Sequence, residues 1–80
     1  MSSIIKIAIV GLGQVGNYLY RELSLKKKNI EIKSGKKFQI VAVSAKNKNK
    51  KRRYKIDKKI FYKDPIQIIK KVKPDILFEV

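Results

Sequence analysis

Apolar residues fall along this chain in short blocks separated by glycine, proline and lysine. Ile4 to Val10 reads Ile-Ile-Lys-Ile-Ala-Ile-Val, a nearly continuous run rich in β-branched residues. Continuous apolarity, rather than alternation, is what a strand buried on both faces of a parallel sheet requires. The run stops at Gly11. Beyond it, Val15, Leu19 and Leu23 recur at four-residue spacing with Tyr18 beside them, a stripe that predicts an amphipathic helix from about Gln14 to Lys27. Lys26, Lys27 and Lys28 suit the negative end of that helix dipole, and Asn29 is placed to cap it. Ile30 to Lys37 reads as a polar connection turning at Ser34-Gly35. Phe38 to Val43 predicts the second strand.

The eight residues 46–53, all Lys, Asn or Arg, form a run without an apolar side chain and predict a solvated loop. Tyr54 to Tyr62 reads as irregular, with a short extended piece at Lys59 to Tyr62. Asp64-Pro65 is an N-cap followed by proline at the first helical position, and Ile66, Ile69 and Val72 are expected to line one face of a short helix. Lys73-Pro74 ends it, and Asp75 to Val80 predicts a third strand. Strand, helix, strand, short helix, strand is the alternation of a parallel α/β sheet. The expected strand order is 3-2-1, which leaves the first strand as an apolar edge prone to aggregation.

Composition narrows the chemistry. The chain has 80 residues, enough for one small domain and too few for two. It contains neither cysteine nor histidine, which excludes disulfides, Cys- or His-ligated metal and Ser-His catalysis within these residues. No run approaches the roughly 18 apolar residues of a membrane span, and the amino terminus lacks the layout of a signal peptide, so a soluble cytoplasmic chain is expected. The net charge of +15 raises polyanion binding as a hypothesis. Yet only three of the 21 basic residues are arginines (Arg21, Arg52, Arg53), and the abundance of Lys, Ile and Asn fits a biased genome with a solvated lysine surface. That reading is favoured over a nucleic-acid surface, in which Tyr18, Tyr20, Tyr54 and Tyr62 would stack on bases and Lys46 to Lys55 would hold phosphates. Tyr18 is instead expected on the helix's core face.

Gly11-Leu12-Gly13-Gln14-Val15-Gly16 is a GxGxxG sequence directly after a buried strand and opening a helix. Gly11 permits the tight turn, Gly13 leaves room for a pyrophosphate to approach the backbone, and Gly16 lets the helix pack closely. The phosphates would then lie over the free N–H groups at the helix start. A bare glycine-rich turn is the competing reading, but strand, spacing and helix together favour a dinucleotide site built from Gly11, Leu12, Gly13, Gln14, Val15 and Gly16. Sites for NAD place an acid at the end of the second strand. Here that end reads Val43-Ser44-Ala45-Lys46. Ser44 can bond a phosphate and Lys46 adds charge, with Arg52 and Arg53 close in sequence, which favours NADP(H) over NAD(H). Against this, Lys46 is one lysine among many. The fold class that follows is α/β: the first half of a Rossmann-type doubly wound parallel sheet, β-α-β-α-β, truncated.

The segment Ile7 to Gly16 resembles the opening of homoserine dehydrogenases, whose first loop reads GLGxVG. The resemblance continues through Ser34-Gly35, Ile40 to Val43, Asp64-Pro65 and Asp75 to Val80, and spans essentially the whole chain. Gln14 departs from the commoner threonine. The resemblance implies an NAD(P)H-linked interconversion of L-homoserine and L-aspartate 4-semialdehyde, on the route to threonine, methionine and isoleucine. It implies contacts to the pyrophosphate from Leu12 to Gly16, a 2′-phosphate partner at Lys46, and an acid near the nicotinamide at Glu79. The family's catalytic lysine, substrate-binding acids and dimerisation elements lie beyond Val80. The expectation is therefore a partial NAD(P)-binding domain over 1–80 with no catalytic residue of its own, inactive and marginally soluble alone. The substrate would be bound by a downstream domain of a homo-oligomer, with no membrane partner and nucleic acid disfavoured. Another member of the dinucleotide-binding superfamily, such as a nucleotide-sensing regulatory domain, is the remaining alternative.

Overall fold

The computed structural model describes residues 4–45 and 55–80. The apolar runs become strands β1 (Ile5–Val10), β2 (Phe38–Ser44) and β4 (Ile76–Glu79), with a two-residue β3 (Phe61–Tyr62) after a 3₁₀ turn at Lys58–Ile60. All pairings are parallel and the order is β3-β2-β1-β4. The strand at 76–79 therefore pairs with β1 and not outside β2, and the outer place beside β2 belongs to Phe61–Tyr62. This corrects the order 3-2-1 expected from sequence. β1 has a neighbour on each side and is no edge. The physical reason is the two-residue strand: the short extended piece expected within Lys59 to Tyr62 is present at Phe61–Tyr62, but only its backbone pairing with Val43 and Ser44 assigns it the place beside β2.

Both faces of the sheet are covered at β1, which accounts for its apolar run from Ile7 to Val10. On one face Ile9 and Val43 pack with Leu12 and Tyr20. On the other, Ala8 and Ala42 are small enough for Ile68 to pack against them with full burial, a side chain whose removal from water contributes about 1.5–3 kcal/mol. The pairing of β1 with β2 slips by one residue between Ile7 and Ala8, so that Ile7 faces Ile40 and Ala8 faces Ala42.

The first helical region is two helices, α1 (Gln14–Leu25) and α2 (Lys27–Ser34), broken at Lys26. Asn29 lies inside α2, and the expected polar connection over 30–34 is helical. Helix α2 buries no residue, so it has no apolar stripe by which to recognise it. Its end is marked instead by Gly35 at φ 70°, whose N–H returns to the Glu31 carbonyl. The phase of α1 also differs from expectation. Its buried residues are Gly16, Asn17 and Tyr20, with Leu19 and Leu23 partly covered, whereas Val15 is 67% and Tyr18 60% exposed. The helix approaches the sheet along its glycine, and Tyr20 rather than Tyr18 serves the core.

After Asp64, whose carboxylate accepts the Ile66 N–H at 2.9 Å, α3 (Pro65–Gln67) runs into a π-helical turn over Ile68–Val72. The Lys73 N–H closes that turn on the Ile68 carbonyl at 3.1 Å, and Lys73 itself lies at φ 51°. The wider turn brings Ile68 inward and leaves Ile66 and Ile69 exposed, where a regular helix was expected to bury Ile66, Ile69 and Val72 together. Of these only Val72 touches the core.

Candidate functional site

The carboxyl ends of β1, β2 and β4 converge on the glycine turn. In open parallel sheets this edge carries the ligand crevice. The Ser44 carbonyl at the end of β2 accepts the N–H groups of both Gly11 and Leu12, each at 3.0 Å, and the Gly11 carbonyl accepts the Gly13 N–H at 2.8 Å. Val80, following β4, donates its N–H to the Val10 carbonyl at 3.0 Å. These backbone bonds tie the turn to β2 and bring β4 alongside it.

Each glycine has a separate cause. Gly11 lies at φ 90°, a conformation side-chain-bearing residues rarely adopt, and a Cβ there would collide with the main-chain oxygen of Val80. A Cβ at Gly16 would stand 2.7 Å from the Gly11 carbonyl oxygen, so α1 can start this near the turn only without a side chain. Gly13 is different. Nothing lies within 4 Å of the place its Cβ would take, so no packing within the described residues requires a glycine there. As the N-cap of α1 it has no side chain with which to cap the helix. The first N–H groups of α1, from Gln14 to Gly16, lie beyond reach of any intrahelical acceptor. The Asn17 N–H makes the first helical bond, to the Gly13 carbonyl at 2.9 Å.

The residues singled out from the sequence therefore separate into groups. Gly13, Gln14 and Val15 face solvent at the head of the helix. Leu12 is buried in the core beneath it, with its N–H engaged, so its side chain is part of the floor and not of the rim. Ser44 lies at the expected strand end, but it is only 3% exposed and its carbonyl holds the turn. Lys46, Arg52, Arg53 and Tyr54, which carried the reading of cofactor choice and part of the basic footprint, lie outside the described residues. Glu79 is exposed at the end of β4, in register with Val10. Sequence reasoning missed Val80 as a neighbour of the turn, since no local pattern links a residue after the last strand to a glycine 69 positions earlier. It also missed the buried Asn17, whose polarity hides it in a search for apolar stripes.

The opposite end of the sheet is tied through side chains. The Asp75 carboxylate accepts the Lys6 N–H at 2.8 Å while the Asp75 N–H donates to the Lys6 carbonyl at 2.8 Å. Lys6 Nζ donates to the Val72 carbonyl at 3.1 Å, and the Glu31 carboxylate accepts the Phe38 N–H at 2.9 Å. A shallow cleft at this end, bordered by Tyr20, Lys27 and Phe38, carries the Lys27 ammonium 5.9 Å from the Phe38 ring centre. Among the described residues no acidic cluster could hold a metal ion, and no helix is long and apolar enough to cross a membrane.

No family model matches the sequence, and no curated protein matches it. Solved structures do. The chain superimposes on homoserine dehydrogenase from S. aureus, crystallised at pH 7.5, with a TM-score of 0.85 and 26% identity over 96% of its own length. For the same enzyme at pH 6.0 the TM-score is 0.83, with 26% identity over 99%. The chain spans 20% of the length of either structure. Its four parallel strands, flanking helices and glycine turn form an α/β, Rossmann-type fold, that of the N-terminal domain of homoserine dehydrogenase.

Proposed function

We propose that this chain is the cofactor-binding, N-terminal part of an NADP(H)-dependent homoserine dehydrogenase, a cytoplasmic homo-oligomer that interconverts L-homoserine and L-aspartate 4-semialdehyde in the synthesis of threonine, methionine and isoleucine. The observation that carries the reading is Gly13: a glycine that no neighbour among the described residues demands, at the head of a helix without a side-chain cap, at the carboxyl edge of a parallel sheet. A bound dinucleotide accounts for it, because its pyrophosphate needs close approach to that backbone. The same space would suit either nicotinamide dinucleotide.

In this role Gly13 admits the phosphates, and the N–H groups from Gln14 to Gly16 bind them. Ser44 fixes the turn from β2. Lys46 favours the 2′-phosphate of NADP(H), since Ser44 and Ala45 bring no acid to repel it. When bound, the nicotinamide supplies or accepts the hydride. Glu79 lies at the mouth of β4, on the side where the ring would rest. The catalytic and substrate-binding groups belong to sequence beyond this chain, so cofactor binding without turnover is expected of residues 1–80.

Titration of the chain with NADPH and NADH, followed by nicotinamide fluorescence, tests this. Tighter binding of NADPH is expected, with Lys46→Glu reversing the order. Equal affinity in the wild type would refute the choice of NADP(H), and no binding of either would refute the site.

A further inference from the structure

The glycine turn is in contact with β4 as well as with β1 and β2. Beyond the N–H bond to Val10, Val80 places its main-chain oxygen where a side chain at Gly11 would begin. Its Cγ2 lies 3.0 Å from the place a Cβ at Gly16 would take. Gly11 and Gly16 thus share one notch, and Val80 fills it, while the space beside Gly13 stays open. The usual reason for the last glycine of such a turn is close packing of helix on strand. Here the nearest atoms are those of the turn itself and of Val80.

We infer that Val80 is a positioning residue for the phosphate-binding turn: seated against Gly11 and Gly16, it holds the turn in the shape that leaves Gly13 and the first N–H groups of α1 open to a dinucleotide. The inference rests on the dinucleotide reading above. Three strands meet at the turn, and two hold it from opposite sides, β2 through the Ser44 carbonyl and β4 through Val80. If the β4 side is loosened, Gly11 at φ 90° keeps the bonds to Ser44 and the Gly13 N–H on its own carbonyl, but loses its support on the side away from β2. Val80 belongs to neither core cluster of the described residues, so trimming its side chain empties neither. Its effect on the turn is therefore separable from an effect on the fold.

The test compares the wild-type chain with Val80→Gly, Val80→Ala and Val80→Ile. Amide hydrogen exchange at Gly11 and Leu12 is followed without nucleotide, and NADPH affinity is measured separately. Val80→Gly is expected to speed exchange at both amides and weaken NADPH binding, each by about fivefold, or about 1 kcal/mol at 1.4 kcal/mol per factor of ten. Val80→Ala should show a smaller change of the same sign. Val80→Ile, which keeps the branched carbon, should behave as the wild type. Exchange at Ile9 and Val43 in the core reports on global stability and should stay unchanged. If it rises equally in Val80→Gly, Val80→Ala decides. Unaltered exchange at Gly11 and Leu12 in a folded variant would overturn the seat. Faster exchange with unaltered affinity would overturn its role in binding. A wild-type chain that fails to bind NADPH or NADH would overturn the dinucleotide reading and, with it, the binding role assigned to Val80.

Discussion

The two ends of the sheet are built by different means. At the amino end, carboxylates of Asp75 and Glu31 accept main-chain N–H groups, and the Lys6 ammonium bonds the carbonyl of Val72. At the carboxyl end, the turn from Gly11 to Gly16 is held by main-chain bonds to Ser44 and by the close approach of Val80. Side chains that satisfy the backbone fasten one end. The other is shaped by glycines, and Gly13 leaves space beside the first N–H groups of α1. The difference predicts that substitutions at the amino end change stability alone, whereas those at the carboxyl end can change binding with little effect on stability.

The largest effect is expected from Gly11→Ala, which forces a side chain into φ 90° and against the Val80 oxygen. Chemical denaturation should register a loss of about 2–4 kcal/mol, with dinucleotide binding abolished; a wild-type unfolding curve would break the account of the turn. Gly13→Ala separates the two properties most sharply. Its Cβ enters open space, so stability should change by less than about 1 kcal/mol, while NADPH affinity drops by at least about tenfold. Retained affinity would show that the open space is not the phosphate site. At the other end, Asp75→Ala leaves the Lys6 N–H without its side-chain acceptor. A cost of about 1–2 kcal/mol is expected in the same denaturation assay, with NADPH affinity unchanged.

The smallest effect concerns α1. Glu22 bonds the Lys26 ammonium at 3.1 Å, and that bond, followed by one from the Tyr18 hydroxyl, holds its carboxyl below the usual 4.5. A lowered folded-state pKa means that the contribution is complete above the unfolded value and disappears as the pH falls through the folded one. Both groups are at the surface, so the contribution is slight. Stability measured from pH 6 downward should decline less steeply in Glu22→Gln than in the wild type, and parallel curves would remove Glu22 from the account.

Sequence reading succeeds where one residue type has one physical use. The buried run of β1, the glycine spacing, the Asp64-Pro65 helix start and the turn at Gly35 all have such causes, and the structure has all four. It fails where the determinant is a distant partner. Helix α2 has no buried face, and Glu31 fastens it to Phe38 across seven residues. The extended piece at Phe61–Tyr62 is expected from sequence, but its place beside β2 is set by its bonds to Val43 and Ser44. In α1 and after α3, the apolar residues Val15, Tyr18, Ile66 and Ile69 suggest a face that the closer packing at Gly16 and the wider turn at Ile68 rotate away from the core. The glycine turn is legible because Gly11 takes a φ of 90° and Gly16 stands close to the Gly11 carbonyl, both short-range demands. Val80 is not, because its role comes from the pairing of the first strand with the last.

That pairing has a consequence during synthesis. β1 is made first, yet its partner β4 is separated from it by 65 residues, Gly11 to Asp75. At about 5–20 residues per second the ribosome needs several seconds to supply that partner. During this interval β1 and β2 can pair, but one side of β1 stays without its neighbour, an open apolar edge of the kind that captures other strands. The nascent chain is thus exposed to misassembly at β1 for that interval, and the glycine turn takes the form seen here only after β4 has arrived.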